Sequence, residues 1–146
     1  MGRGRGGYTV KQESYKDSGH NKVKDRNAIF VGECYMDLGY ETVFRRTHEP
    51  DKGYDLTIKT CDDLHFVKNI EVKGVTSSNP SKIATNIKKA NEQIGVGDTI
   101  AIYLPKHINN DAGRQFAQQG IAEANRKGWI KGPIEVWFSD KSKITF

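Results

Sequence analysis

Asp55, Glu71 and Lys73, within the stretch YDLTIKTCDDLHFVKNIEVKG from Tyr54 to Gly74, are of types and spacing that could do chemistry together. The stretch reads as two short strands joined by a polar turn. Strand side chains alternate between faces, so Glu71 and Lys73 project from one side and Ile70 and Val72 from the other. With the apolar side buried, the acid and the amine stand side by side at a strand end, and a neighbouring strand headed by Asp55 would bring them a second carboxylate. That grouping suits metal-assisted hydrolysis of a phosphodiester. Magnesium is a hard cation held by one or two carboxylates plus substrate phosphate oxygens, and it supplies Lewis acidity and activates water. A lysine beside it can orient the water or offset charge growing on the phosphate. Two bare carboxylates about 4 Å apart repel by roughly 4 kcal/mol at an effective dielectric near 20, so the pair calls for a cation in any case.

The elements that must position these residues follow from periodicity. Residues 25–38 carry Val31, Cys34 or Tyr35, and Leu38 as one apolar stripe, which predicts a helix ended by Gly39. Residues 40–46 alternate and are rich in β-branched and aromatic types, predicting a strand. The following charged stretch with Pro50 and Gly53 reads as a loop. Strands are expected at 54–59 and 66–73. Asn79 and Pro80 then start a helix near 80–94 with Ile83, Ile87, Ala90 and Ile94 as its seam. TIAIYL, Thr99 to Leu104, reads as a strand buried on both faces, parallel to the strand at 66–73 and adjacent or nearly so. Asn110 or Asp111 begins a third helix through Lys127, with Phe116, Ala117, Ile121 and Ala124 inward. Trp129 anchors its end in the core, and strands follow at 133–138 and 143–146.

An acid, a variable gap and then E-x-K, in this order of elements, resembles the PD-(D/E)XK nuclease superfamily; Gly53-Tyr54 stands where the naming proline would be. The resemblance implies an α/β fold with a mixed central sheet, antiparallel hairpins plus a parallel strand, flanked by helices. It also implies Asp55, Glu71 and Lys73 as catalytic residues, Asp55 and Glu71 as metal ligands, and a divalent cofactor, Mg2+ being favoured with Mn2+ or Zn2+ as alternatives. Glu33 matches the additional helix glutamate of many members, a solvated glutamate being the ordinary alternative. Gln93 resembles the glutamine some members use near the site. Arg45, Arg46 and Lys52, entering and leaving the loop before Asp55, could clamp a phosphate or form a solvated basic loop.

The small core is also similar to the C-terminal toxin domains of contact-dependent growth inhibition, among them tRNA-cleaving ones. That likeness implies tRNA as the favoured substrate over DNA, a cognate immunity protein, and delivery as part of a larger secreted or cell-surface protein into the cytoplasm of a target cell. A DNA-cleaving toxin, resolvase-like or restriction-type enzyme uses the same residues, because the motif addresses phosphate and metal rather than sugar or base. The rival from another class is a non-catalytic nucleic-acid- or protein-binding module whose E-x-K is an ordinary surface pair.

A length of 146 residues and 36% hydrophobic content fit one folded domain, expected over 25–146, with a polar extension. The net charge of +5 is concentrated at the start: residues 1–24 carry Arg3, Arg5, Lys11, Lys16, Lys22 and Lys24 against Glu13 and Asp17. They read as a mobile basic arm or linker, and such charge permits phosphate binding without demonstrating it. No apolar run approaches a membrane span. Cys34 and Cys61 lack zinc-site spacing, with a single disulfide between them left open. His20, His48, His65 and His107 read as surface residues, His48 and His65 being near enough in sequence to the site for a minor role.

Overall fold

The computed structural model describes residues 26–44, 54–95 and 97–146. The arm at 1–24, the loop carrying Arg45, Arg46, His48 and Lys52, and His20 all lie outside the described residues. The chain is α/β: a six-stranded mixed sheet whose strands lie side by side in chain order, flanked by three helices among the described residues. It divides into two compact units, Met1–Ile70 and Glu71–Phe146, and the boundary falls inside the third strand.

The first unit begins with α1 (Arg26–Asp37), which stops because Gly39 takes φ +96°, and the Gly39 N–H donates to the Met36 carbonyl at 3.0 Å. Cys34 and Tyr35 are both buried, whereas Leu38, expected in the same stripe, falls past the last helical turn and is 60% exposed. β1 (Tyr40–Phe44) lies under the helix at Gly32, where a Cβ would meet the Phe44 ring at 2.7 Å, and the Thr42 hydroxyl donates to the Gly32 carbonyl at 3.0 Å. β2 (Leu56–Thr60) pairs antiparallel with β1, Phe44 opposite Leu56. β3 (Phe66–Gly74) pairs antiparallel with β2, Leu56 opposite Ile70 and Thr57 opposite Asn69, with a bulge between Ile58 and Lys59. The turn between them is closed by the Thr60 hydroxyl, which donates to Asp63 at 2.6 Å and accepts from the His65 N–H at 2.9 Å. The two cysteines are free thiols, Cys34 buried and Cys61 partly so.

The second unit opens with the end of β3. α2 (Ser81–Asn91) is started by Asn79, whose side-chain oxygen accepts from the Ser81 N–H at 3.0 Å while Pro80 supplies a helical φ of −61°. Ile83, Ile87 and Ala90 are fully buried; the helix stops at Asn91, so Ile94 and Gln93 stand in the turn beyond it. β4 (Thr99–Leu104) neighbours β3 in the sheet, as the crossover spacing requires. α3 (Asp111–Arg126) is capped by Asn110, which accepts from the Gly113 N–H at 2.8 Å, and ends at Gly128 with φ +73°. β5 (Ile134–Phe138) runs parallel to β4, and β6 (Lys143–Thr145) pairs antiparallel with β5.

The core of this unit joins Ile83 and Ile87 of α2, Phe116 and Ala117 of α3, and the alternate residues Ile100, Ile102, Leu104, Ile134, Val136 and Phe138 of the sheet. The two helices approach closely at Gly120, where a Cβ would meet the Ile83 Cβ at 2.5 Å and the Pro80 carbonyl oxygen at 2.7 Å. His107, expected at the surface, is half-buried and stacks on Phe116 with ring centroids 4.2 Å apart.

Candidate active site

β3 brings Glu71 and Lys73 together. Two residues apart on one strand, they share a side, and the Lys73 Nζ lies 3.3 Å from Glu71 Oε2. The pair is asymmetric: the Glu71 side chain is 4% exposed and that of Lys73 22%. Ile70 and Val72 are buried as well, so both sides of the strand are covered at this point. This corrects the expectation of an acid standing open at a strand end: Glu71 is enclosed and Lys73 is the member that reaches water. It also removes the solvated surface pair as a description of E-x-K. At an effective dielectric near 20, unit charges 3.3 Å apart attract by about 5 kcal/mol. Burying the carboxylate costs several kcal/mol, so the contact largely offsets a penalty that an exposed pair would never incur.

Asp55 sits half-buried immediately before β2, and its N–H donates to the Ile70 carbonyl at 2.8 Å. That bond fixes the head of β2 against the residue that precedes Glu71 in sequence. Glu33 is half-buried on α1 between the buried Gly32 and Cys34, an intermediate position on the helix rather than the fully solvated face. Gln93, expected late on a helix, lies in the turn after α2, and its Oε1 is buried with no hydrogen-bond partner. His65 is exposed in the β2–β3 turn, 3.4 Å from Asp63. Arg45, Arg46 and Lys52 lie outside the described residues.

The strand at Ile134–Phe138 holds a second enclosed acid. Glu135 on β5 is 1% exposed. It accepts from the Trp137 indole N–H at 3.0 Å and lies 3.7 Å from the Lys143 Nζ on β6. The two residues alternate with Ile134, Val136 and Phe138, so they occupy the face opposite the helix-side core. A glutamate and a tryptophan two apart in an otherwise apolar strand, IEVWF, were the available signal. Glu41 on β1 is a third case: burial pushes its carboxyl above the usual carboxylate range, and Lys59, its partner across the β1–β2 pair, pulls it partly back.

Among the described residues no group of three or more His, Cys, Asp or Glu is arranged to hold a metal ion. The set read from the sequence is smaller, two carboxylates with a lysine, and its all-oxygen donor chemistry fits a hard dication that keeps most of its waters. A cavity of about 110 Å³ in the second unit is lined by Asn91, Ile94, Asp98, Ile100, Lys131 and neighbouring glycines, and includes none of the predicted site residues. Compared with known proteins, the chain matches no family model, no curated protein and no solved structure.

Proposed function

We propose that this chain is a metal-dependent nuclease that hydrolyses phosphodiester bonds, with Asp55, Glu71 and Lys73 as its catalytic residues. The observation that carries the reading is the enclosed Glu71–Lys73 pair at 3.3 Å on β3. A chain that keeps a carboxylate 4% exposed beside an amine at a strand end bears a desolvation cost that the contact with Lys73 has to offset. The order of elements supports it too: a helix, three antiparallel strands, a helix and a further strand, with Asp55 at the head of β2 and Glu71 and Lys73 near the end of β3.

Asp55 and Glu71 are the residues that would hold a divalent ion, Mg2+ by preference, which when bound supplies Lewis acidity toward the phosphate. Glu71 keeps its carboxylate fixed through the contact with Lys73. An ammonium has three donors, so Lys73 can hold Glu71 with one and direct the others to the attacking water and to a non-bridging phosphate oxygen. There it positions the nucleophile and offsets the charge that grows in the transition state. Glu33 is assigned a supporting carboxylate role, and Arg45, Arg46, Lys52 and Gln93 roles in holding substrate.

Within this reading the favoured substrate is tRNA, and the favoured setting is a toxin domain delivered into a target cell and neutralised by a cognate immunity protein. The test is incubation with tRNA and with plasmid DNA, each with Mg2+ and with chelator. Metal-dependent cleavage of tRNA supports the full proposal, and cleavage of plasmid alone transfers it to DNA. Intact polymers under Mg2+, Mn2+ and Zn2+ overturn it in favour of a binding module.

A further inference from the structure

Trp129 follows the glycine that ends α3, and its N–H donates to the Ala124 carbonyl at 2.9 Å. The indole rests on the helix-side core and is half-buried, its remaining edge reaching solvent. Two lysines from different helices converge on it: the Lys88 Nζ, from the last turn of α2, lies 5.2 Å from the ring centroid, and the Lys127 Nζ, just past α3, lies 5.1 Å from it. The Asn91 side-chain amide donates to the Trp129 carbonyl, tying the end of α2 to this loop, and exposed Lys131 follows two residues on. Each ammonium is within cation–π range. Together they stand no more than about 10 Å apart, roughly one Debye length at 0.1 M salt, so they repel each other. Glu123 is 3.8 Å from Lys127 in a partly exposed i,i+4 pair that contributes little. A polyanion would relieve this repulsion, and a partly exposed indole set among cations matches one polyanion above others: a nucleic acid strand, whose bases stack on rings while its phosphates meet lysines.

We infer that Trp129, Lys88, Lys127 and Lys131 form a contact surface for single-stranded nucleic acid. None of these residues belongs to the catalytic set, so the inference goes beyond the proposed nuclease and stands whether or not the chain cleaves. A single strand is the fitting form because duplex bases are already stacked on one another and present no free face to the indole.

Trp129 carries its own probe, since the other tryptophan, Trp137, is 1% exposed. The full chain is titrated, in chelator so that turnover is suppressed, with single-stranded RNA and DNA of about 12 nucleotides, a duplex of the same length, and poly-glutamate. Either single strand should quench the tryptophan fluorescence saturably. Lys88→Gln and Lys127→Gln should each weaken binding several-fold and reduce the slope of log K against log salt by about 0.7. Trp129→Phe should bind within a few-fold of the parent, and Trp129→Leu roughly tenfold more weakly. Should Trp129→Leu unfold in a thermal melt, the lysine variants and the quenching decide the matter by themselves. The inference is overturned by absent quenching, by lysine variants that titrate like the parent, or by duplex or poly-glutamate binding as tightly as a single strand. A chain that binds here without cleaving loses only the nuclease; one that cleaves without binding here loses only this surface.

Discussion

The asymmetry of the Glu71–Lys73 pair leads to an unequal response when either charge is removed. Lys73→Met keeps the length and apolar stem of the side chain but withdraws the ammonium from a carboxylate that is 4% exposed. The Coulomb attraction at 3.3 Å is about 5 kcal/mol at an effective dielectric near 20, and breaking an enclosed pair costs about 3–5 kcal/mol. Lys73 is itself 22% exposed and partly screened, which lowers the expected loss to roughly 2–3 kcal/mol. Glu71→Gln keeps shape and leaves behind the partner that already reaches water, so its cost is expected at about 0–1 kcal/mol. Urea unfolding at pH 7, followed by the fluorescence of enclosed Trp137, should therefore place the two midpoints well apart at equal slope. Equal losses, or a larger one for Glu71→Gln, would refute the claim that Glu71 is the enclosed member and Lys73 its neutralising partner.

Three further outcomes are expected. Because burial raises the Glu41 carboxyl above the usual range, its contribution is full at acid pH and is lost as pH rises through that raised value. Glu41→Gln should accordingly stabilise the fold at pH 7, with the gain disappearing below pH ~4 in denaturation curves taken across pH. Gly120→Ala forces a methyl against Ile83 and the Pro80 carbonyl and should cost about 1–3 kcal/mol, read as a lowered melting temperature; an unchanged melt would deny the close approach of α2 and α3. Glu135→Leu strands the enclosed Trp137 indole N–H and should cost about 1–3 kcal/mol, whereas Glu135→Gln retains an acceptor and should cost less; similar losses in the two would show that this hydrogen bond is unimportant.

Local pattern made much of the architecture legible. Gly39 ends its helix with positive φ, as its place after an apolar stripe suggested, and Asn79 and Asn110 accept the N–H groups of the turns they start. The six apolar or small residues of β4 read correctly as a strand of the sheet interior. The end of α2 is not legible in the periodicity, because Ile94 continues the apolar period, whereas the chain turns at Glu92 and the Asn91 amide bonds to the Trp129 carbonyl, 38 residues on. The same limit hid the enclosure of Glu71 and Glu135. Alternation along a strand tells which side a residue takes, but its burial depends on groups distant in sequence. At the site, E-x-K was legible as a pair on one strand, and its unequal exposure was not.

The central claim is that the Glu71–Lys73 pair acts on a phosphodiester. Its most direct test is the turnover of tRNA and plasmid DNA under Mg2+ by the parent, Asp55→Asn, Glu71→Gln and Lys73→Met, each shown folded by near-ultraviolet circular dichroism. Metal-dependent cleavage by the parent, reduced by on the order of 1,000-fold or more in all three folded variants, is the predicted result, the size being that of losing a group which stabilises transition-state charge. Parental turnover in folded Glu71→Gln or Lys73→Met would contradict it.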